Sequence, residues 1–263
     1  MLESVVLGIV QGALEWLPVS SSAATLLVAS NLLDMDYARA YTLSLFLHIS
    51  TFTAPLLVFA RYISSHLRQI IPLITVSTLA SIIVGAPLAL LFGEFSSSQG
   101  GAPLNIVVGL MLLLTSLALR LQTTMRKSRC TDEFSLGAKG FLLVGLVQGL
   151  AALPGLSRSA LTIAALTALG ACPSAAVRAS YIMSVPVTAA AGLGTLVMDG
   201  AIGGIVSLNE AVVAMVVGLV TGVASIGFMM KIASIVGGRI YLLVLLIGAV
   251  SLAWGMLLLF AGG

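Results

Sequence analysis

The sequence predicts an all-α membrane protein, with six transmembrane helices plus two re-entrant helix hairpins in an inverted-topology repeat. Three observations carry that prediction. First, 59% of the 263 residues are hydrophobic and 8% are charged, whereas a soluble domain carries about a quarter charged residues. Second, apolar stretches of about 20 residues recur along the chain, each long enough to cross a hydrocarbon core of roughly 30 Å. These runs are continuous, which argues against a barrel of short alternating strands. Third, two further apolar regions are broken near their middles, and the two resemble each other.

The six full spans are expected at Ala40–Phe59, Ile70–Phe92, Leu104–Leu121, Ala175–Val197, Ala211–Met230 and Ile240–Phe260. The broken regions cover residues 4–33 and 140–171, with breaks at Leu17-Pro18 and Pro154-Gly155. Each arm is about 15 residues, or roughly 23 Å of helix, short for a crossing. A helix that dips in and returns on the same side fits such an arm. Broken helices at membrane depth need protein or a wet cavity over their freed backbone groups.

The segment GIVQGALEWLPVSSSA (Gly8–Ala23) lines up with GLVQGLAALPGLSRSA (Gly145–Ala160). Gly8, Val10, Gln11, Gly12 and Pro18 match Gly145, Val147, Gln148, Gly149 and Pro154. Three spans follow each broken region, and an odd number inverts the second copy. The repeats then occupy about 1–122 and 134–263 of a single integral membrane domain. Such inverted repeats place a ligand site where the broken helices meet.

Charge tests this layout. One side carries Glu3, Asp34, Asp36, Glu94, Asp199 and Glu210 against Arg39. The other collects Arg61, Arg68, Arg120, Arg126, Lys127, Arg129, Lys139, Arg178, Lys231 and Arg239. The positive-inside rule makes the second side cytoplasmic. Both termini and the first hairpin then face outward, in a multi-pass protein of the plasma membrane. The net charge of +3 is spread over loops, so no nucleic-acid partner is expected. No cleavable signal peptide is evident, because the N-terminus lacks a basic region ahead of its apolar stretch. Cys130 and Cys172 match no metal or redox spacing, and two cysteines imply no disulfide framework.

Glu15 and Arg158 are left unplaced by the loops, each beside a break in its own repeat. Ionisable residues at membrane depth cost a few kcal/mol and normally mark a pathway or site. If the tips meet, the two share a pocket with Ser20, Ser21, Ser22, Ser157, Ser159 and Thr162, while Gln11 and Gln148 sit one to two turns before the breaks. A bare ion pair pinning the tips is the plainer reading, but it has no need of the hydroxyls. The second break also suits an anion. A helix starting near Ser157 offers free N–H groups, the favourable end of its dipole and a guanidinium able to grip two oxygens. Thr162 follows one turn later, on the same face. A serine capping a helix would look similar.

The segment PGLSRSALT resembles the PGxSRSxxT signature of the undecaprenyl-diphosphate phosphatase family, the bacitracin-resistance membrane proteins. QGALEWLPVSSS is similar to the family's acidic signature, and LFLHIST, SYIMSVPV and Gly238–Tyr241 have family-like surroundings. The resemblance runs the whole length. It implies hydrolysis of a polyprenyl diphosphate to the monophosphate and inorganic phosphate, recycling a lipid carrier, with a divalent cation, Mg²⁺ first and Ca²⁺ as the alternative. It assigns Gln11 and Glu15 to the acidic motif, with Glu15 as the metal ligand, and Ser21 to the nucleophile, with a metal-bound water as the alternative source of the attacking oxygen. Ser157, Arg158 and Thr162 fall on the phosphate-binding signature. The chain departs from the pattern in two places. The family's histidine is expected at 24, where this chain has Ala24, and Gln11 stands where Glu is frequent. Glu15 and His48 are the groups left to act as base, and His66 falls in a loop. The rival reading is a flippase, a transporter or a non-catalytic binder of phosphorylated isoprenoid lipid, since broken-helix repeats also build carriers. Small-residue patches such as Gly192–Leu196 allow a homodimer or contacts within one chain.

Overall fold

The protein is described by a computed structural model over residues 2–99, 101–124, 130–198, 207–232 and 240–261. Arg126, Lys127, Arg129, Asp199 and Arg239 of the charge pattern lie outside these residues. The described residues are helical, joined by short turns. Helices α1 (Leu2–Glu15) and α2 (Ser21–Asn31) form the first broken pair, and α8 (Gly137–Leu150) and α9 (Arg158–Leu169) form the second.

Six helical stretches are long and apolar enough to cross a membrane. They are α3–α4 (Tyr37–Phe46 and His48–Val58), α6 (Leu67–Ser98), α7 (Gly101–Thr124), α10 (Pro173–Met198), α11 (Leu208–Ile232) and α12 (Ile240–Ala261). They coincide with the six expected spans. Apolar side chains such as Ile83 on α6 and Leu257 on α12 stand fully outward, a surface that suits acyl chains and not water. The first span differs from the expectation in one respect. It breaks at Leu47, which separates α3 from α4, and a short α5 (Ala60–Ser65) turns the chain into α6.

Close approach of backbones organises the interior. Gly8 and Gly12 lie against Ala214 and Gly218 of α11, so the backbones of α1 and α11 approach closely. Gly145 and Gly149 lie in the same way against Ser77 and Ser81 of α6, and they hold α8 there. A Cβ on Gly8 would sit 2.7 Å from the Ala214 carbonyl oxygen, and one on Gly149 would sit 2.7 Å from that of Ser81. Ser81 Oγ donates to the Gly145 carbonyl at 2.9 Å, and Ser225 Oγ to that of Ala13 at 2.7 Å. Glycine spacing by four and hydroxyls on the facing helix are how apolar helices pack when water is absent. Helices α7 and α12 meet through Gly109, Gly248 and Gly255.

Each second arm starts on a serine. Ser20 caps α2 by accepting from Ala23 N, and Ser157 caps α9 by accepting from Ala160 N. Gly170, with φ of +109°, ends α9 in the left-handed conformation that glycine adopts without strain.

Cys130 and Cys172 are joined in a disulfide, which corrects the expectation of none. The bridge closes over 42 residues. A β-bridge between Thr131 and Ala171 brings its ends together, with Thr131 N donating to Gly170 O and Cys172 N to Thr131 O. Cysteine spacing carries no trace of this, because the pairing is made by tertiary packing. Beside it, Glu133 is buried, gripped by Arg178 through two bonds of 2.7 Å and by the Tyr62 hydroxyl at 2.6 Å. His66 stacks on Tyr62 and Phe134 in the same cluster.

Candidate active site

The two breaks meet. Ser159 Oγ donates to the Leu17 carbonyl at 2.8 Å, and Ser157 Oγ to that of Val19 at 3.1 Å. In return, Gly155 N donates to Ser20 Oγ at 3.1 Å. Gly155 has φ of +101°, and a Cβ there would strike Met111 and the Val108 carbonyl. Only glycine lets this tip lie so close to α7. Thr115 of α7 fastens it further, donating to Gly155 O at 2.7 Å and accepting from Ser157 N at 3.0 Å.

At the crossing, Arg158 Nη2 contacts Glu15 Oε1 in a buried ion pair. Glu15 Oε2 accepts from Ser21 Oγ at 2.6 Å and from Gln11 Nε2 at 2.9 Å. His48 Nε2 lies 3.6 Å from the same oxygen. The carboxylate at the end of α1 is thus surrounded by a hydroxyl, an amide, a guanidinium and an imidazole. Arg158 also lies over the Trp16 ring, 5.2 Å from its centroid. Trp16 in turn packs edge-on against Tyr181, whose hydroxyl donates to the Trp16 carbonyl. Arg158 Nε and Nη1 are buried without a partner. Unpaired guanidinium donors at depth are costly, and no acceptor among the described residues meets these two.

Of the residues expected at the site, Glu15, Ser21, Gln11 and Arg158 come together. Ser20, Ser157 and Ser159 cap helices and tie the tips, and Ser22 lies 3.3 Å from Ser20. Thr162 is engaged with Ser180 at 2.6 Å and with its own helix at Arg158 O. Gln148 binds Ser81 on α6 at 3.0 Å and makes no bond to the Glu15 cluster. Thr25, which sequence reasoning passed over, holds Gln11 in place by donating to Oε1 at 3.2 Å. The signal was available: Thr25 follows Ser20 at the same step as Thr162 follows Ser157. Trp16 and Tyr181 lie inside the quoted QGALEWLPVSSS and SYIMSVPV segments but were given no role there, and Thr115 lies in a plain apolar run.

Among the described residues, no group of three His, Cys, Asp or Glu side chains gathers as a cation site. Glu15 is a single carboxylate whose oxygens are already engaged by Arg158, Ser21 and Gln11. The donor set that the described residues offer at this crossing therefore does not by itself fit a resident divalent ion.

Fold and site together define a polytopic helical membrane protein with a carboxylate–guanidinium centre enclosed where two broken helix pairs meet. The chain belongs to the family described as bacitracin resistance protein BacA, whose pattern it matches over residues 4–251. It is 34% identical over 263 residues to an undecaprenyl-diphosphatase of Pyrobaculum aerophilum, covering 96% of each chain. It is likewise 34% identical over 235 residues to one of Methanothrix thermoacetophila, covering 88% of each. A third, of Saccharolobus islandicus, is 29% identical over 264 residues and 97% of each chain.

Proposed function

We propose that the protein hydrolyses a polyprenyl diphosphate of the undecaprenyl type to its monophosphate and inorganic phosphate, recycling a lipid carrier. One observation carries this reading. Ser21 Oγ donates to a carboxylate that also touches a guanidinium, and that guanidinium has two unfilled donors. A hydroxyl bonded to a base is the arrangement of an activated nucleophile, and spare guanidinium donors suit phosphoryl oxygens.

In this reading Arg158 Nε and Nη1 hold the terminal phosphoryl group. The first N–H groups of α9 have no acceptor within the helix, and they add to the attraction. Ser21 Oγ attacks the terminal phosphorus and gives its proton to Glu15 Oε2. The bond to the bridging oxygen breaks, and the monophosphate leaves with the electron pair. Water then attacks the phosphoserine and its P–O bond to Ser21 breaks; Glu15 passes its proton to the Ser21 oxygen, takes one from the water and releases that one to solvent. Gln11, fixed by Thr25, holds the carboxylate in line. When bound together with the diphosphate, a divalent cation, Mg²⁺ before Ca²⁺, would supply charge neutralisation on the phosphates.

The helix pairs α1–α2 and α8–α9 act as re-entrant hairpins of an inverted repeat. Their support is the exchange of partners between halves, α1 on α11 and α8 on α6, through glycines in matching positions. With positive charge inward, the pocket and both termini face outward in the plasma membrane.

The test is phosphate release by purified protein given undecaprenyl diphosphate and Mg²⁺. Wild type should turn over repeatedly and lose that turnover in EDTA. Arg158→Lys keeps a cation beside Glu15 but lacks the planar fork, so its release should fall by about 10²-fold or more. Wild-type turnover in that variant would remove Arg158 from the site.

A further inference from the structure

We infer that Trp16 is a positioning residue for the reaction, an aromatic platform that fixes the plane of the Arg158 guanidinium, and that Tyr181 anchors it. The inference rests on the phosphatase reading above and adds two residues to it.

The geometry begins at the end of α1. Glu15 closes that helix and Trp16 is the next residue, so adjacent positions present a carboxylate and a ring to one guanidinium. The carboxylate holds Nη2 at one edge of the fork. The ring holds a face, with Arg158 Cζ 5.2 Å from its centroid, inside the ~6 Å at which a cation is drawn to an indole. A planar group held at one edge and one face can neither swing nor roll. Nε and Nη1 are the donors it has left without a partner, and the ring settles the plane in which they point.

The platform is itself fastened. Trp16 and Tyr181 are fully buried, with ring centroids 4.9 Å apart and planes at 67°, an edge-on arrangement that aromatic pairs favour. The Tyr181 hydroxyl donates to the Trp16 carbonyl. Its neighbour Ser180 meets Thr162 at 2.6 Å, one turn beyond Arg158 on α9. Consecutive residues of α10 therefore hold the ring and the helix that carries the guanidinium in one register. The indole N–H has no acceptor among the described residues. It lies toward α11, where a Cβ on Gly222 would sit 3.2 Å away. An orphaned N–H is a cost that phenylalanine would avoid, so the ring is placed for its face and not for its hydrogen bond. Filling the core is the plainer role, and a large aliphatic side chain would serve that as well.

What the platform contributes is preorganisation. A free arginine side chain loses rotamer freedom each time it grips a phosphoryl group, whereas one already seated does not. The buried ring also keeps water from one face of the cation, which strengthens its pull on charge gathering on the transferred oxygens. Trp16 and Tyr181 make no bond to the phosphoryl group and act through Arg158.

The experiment compares Trp16→Phe and Trp16→Leu with wild type in the phosphate-release assay. Both replacements refill part of the space, but only phenylalanine offers a π face. Trp16→Leu should lose about 10- to 30-fold in kcat with KM little changed, while Trp16→Phe should keep most of the wild-type kcat. Tyr181→Phe should lower kcat by itself but cost nothing further when added to Trp16→Leu, because it acts through the ring. Equal kcat in Trp16→Leu and Trp16→Phe would overturn the inference while leaving the phosphatase reading intact. A wild type with no turnover would instead sink the phosphatase reading, and the inference with it. A second measurement leaves Trp16 in place and so guards against a misfolded variant. The chain has two tryptophans, and Trp254 is half-exposed on α12. In protein carrying Trp254→Phe and Ser21→Ala, Trp16 is the one indole. Its emission should shift as undecaprenyl diphosphate with Mg²⁺ is titrated in, because the cation against the ring becomes paired with a phosphoryl group. The same titration of Trp16→Phe, where Trp254 supplies the emission, should show no such shift. An unmoved Trp16 emission at saturation, with bound lipid counted separately, would break the link between ring and guanidinium.

Discussion

At the scale of single residues, the site concentrates its chemistry on one carboxylate, and the partners of that carboxylate can be told apart by substitution. Ser21→Ala removes a hydrogen bond to a charged group, a loss of about 1.5–3 kcal/mol, yet leaves the Glu15–Arg158 pair intact. It should remain folded, bind the diphosphate lipid and release no phosphate, which equilibrium binding alongside the release assay would check. Glu15→Gln differs, because it leaves Arg158 buried and uncompensated. Breaking such a pair costs about 3–5 kcal/mol, so this variant should melt earlier as well as lose activity. Glu15 and Arg158 were legible in the sequence because a charge stands out where everything else is apolar. The uses of the surrounding hydroxyls were not. Ser157 and Ser159 look like ligands in a linear motif, but both spend their donors on carbonyls of the opposite tip. Only the fold reveals that those carbonyls are there to be satisfied.

At the scale of helices, glycine decides which elements can touch. A Cβ at Gly149 would lie 2.7 Å from the Ser81 carbonyl oxygen and 2.7 Å from Val84 Cβ, so α8 must move off α6 to admit one. Gly149→Ala should cost about 1–3 kcal/mol, and Gly8→Ala should do the same where α1 meets α11. Thermal unfolding in detergent would measure both, and Gly227→Ala, with open space at its Cβ, serves as the control. The matching Gln-Gly elements stand out in the sequence, and the six spans could be read from hydropathy. The break at Leu47 could not. No proline or glycine stands at that point, and Pro55 lies within α4.

At the scale of the whole molecule, two devices hold the far end of α9, the helix that carries Arg158. The Cys130–Cys172 bridge ties the segment before α8 to the start of α10, and Glu133 seats the same segment on Arg178 and Tyr62. Burial pushes the Glu133 carboxyl up, but the hydrogen bonds from Arg178 and Tyr62 outweigh it, and the group rests below its ordinary value of 4.5. A depressed carboxylate contributes stability above its unfolded value and loses it as pH falls through the folded one. Melting temperature should therefore be flat from neutral pH to about 5 and fall below about 4. In Glu133→Gln that acid-sensitive part should be smaller. Neither device was legible from the chain, because each joins residues that only packing brings together.

The crossing of the two tips has one more consequence. Ser20, Ser157 and Ser159 knot the elbows together around the Glu15–Arg158 pair, and a rocking motion that exposed the pocket first to one aqueous phase and then to the other would have to untie every strand of that knot.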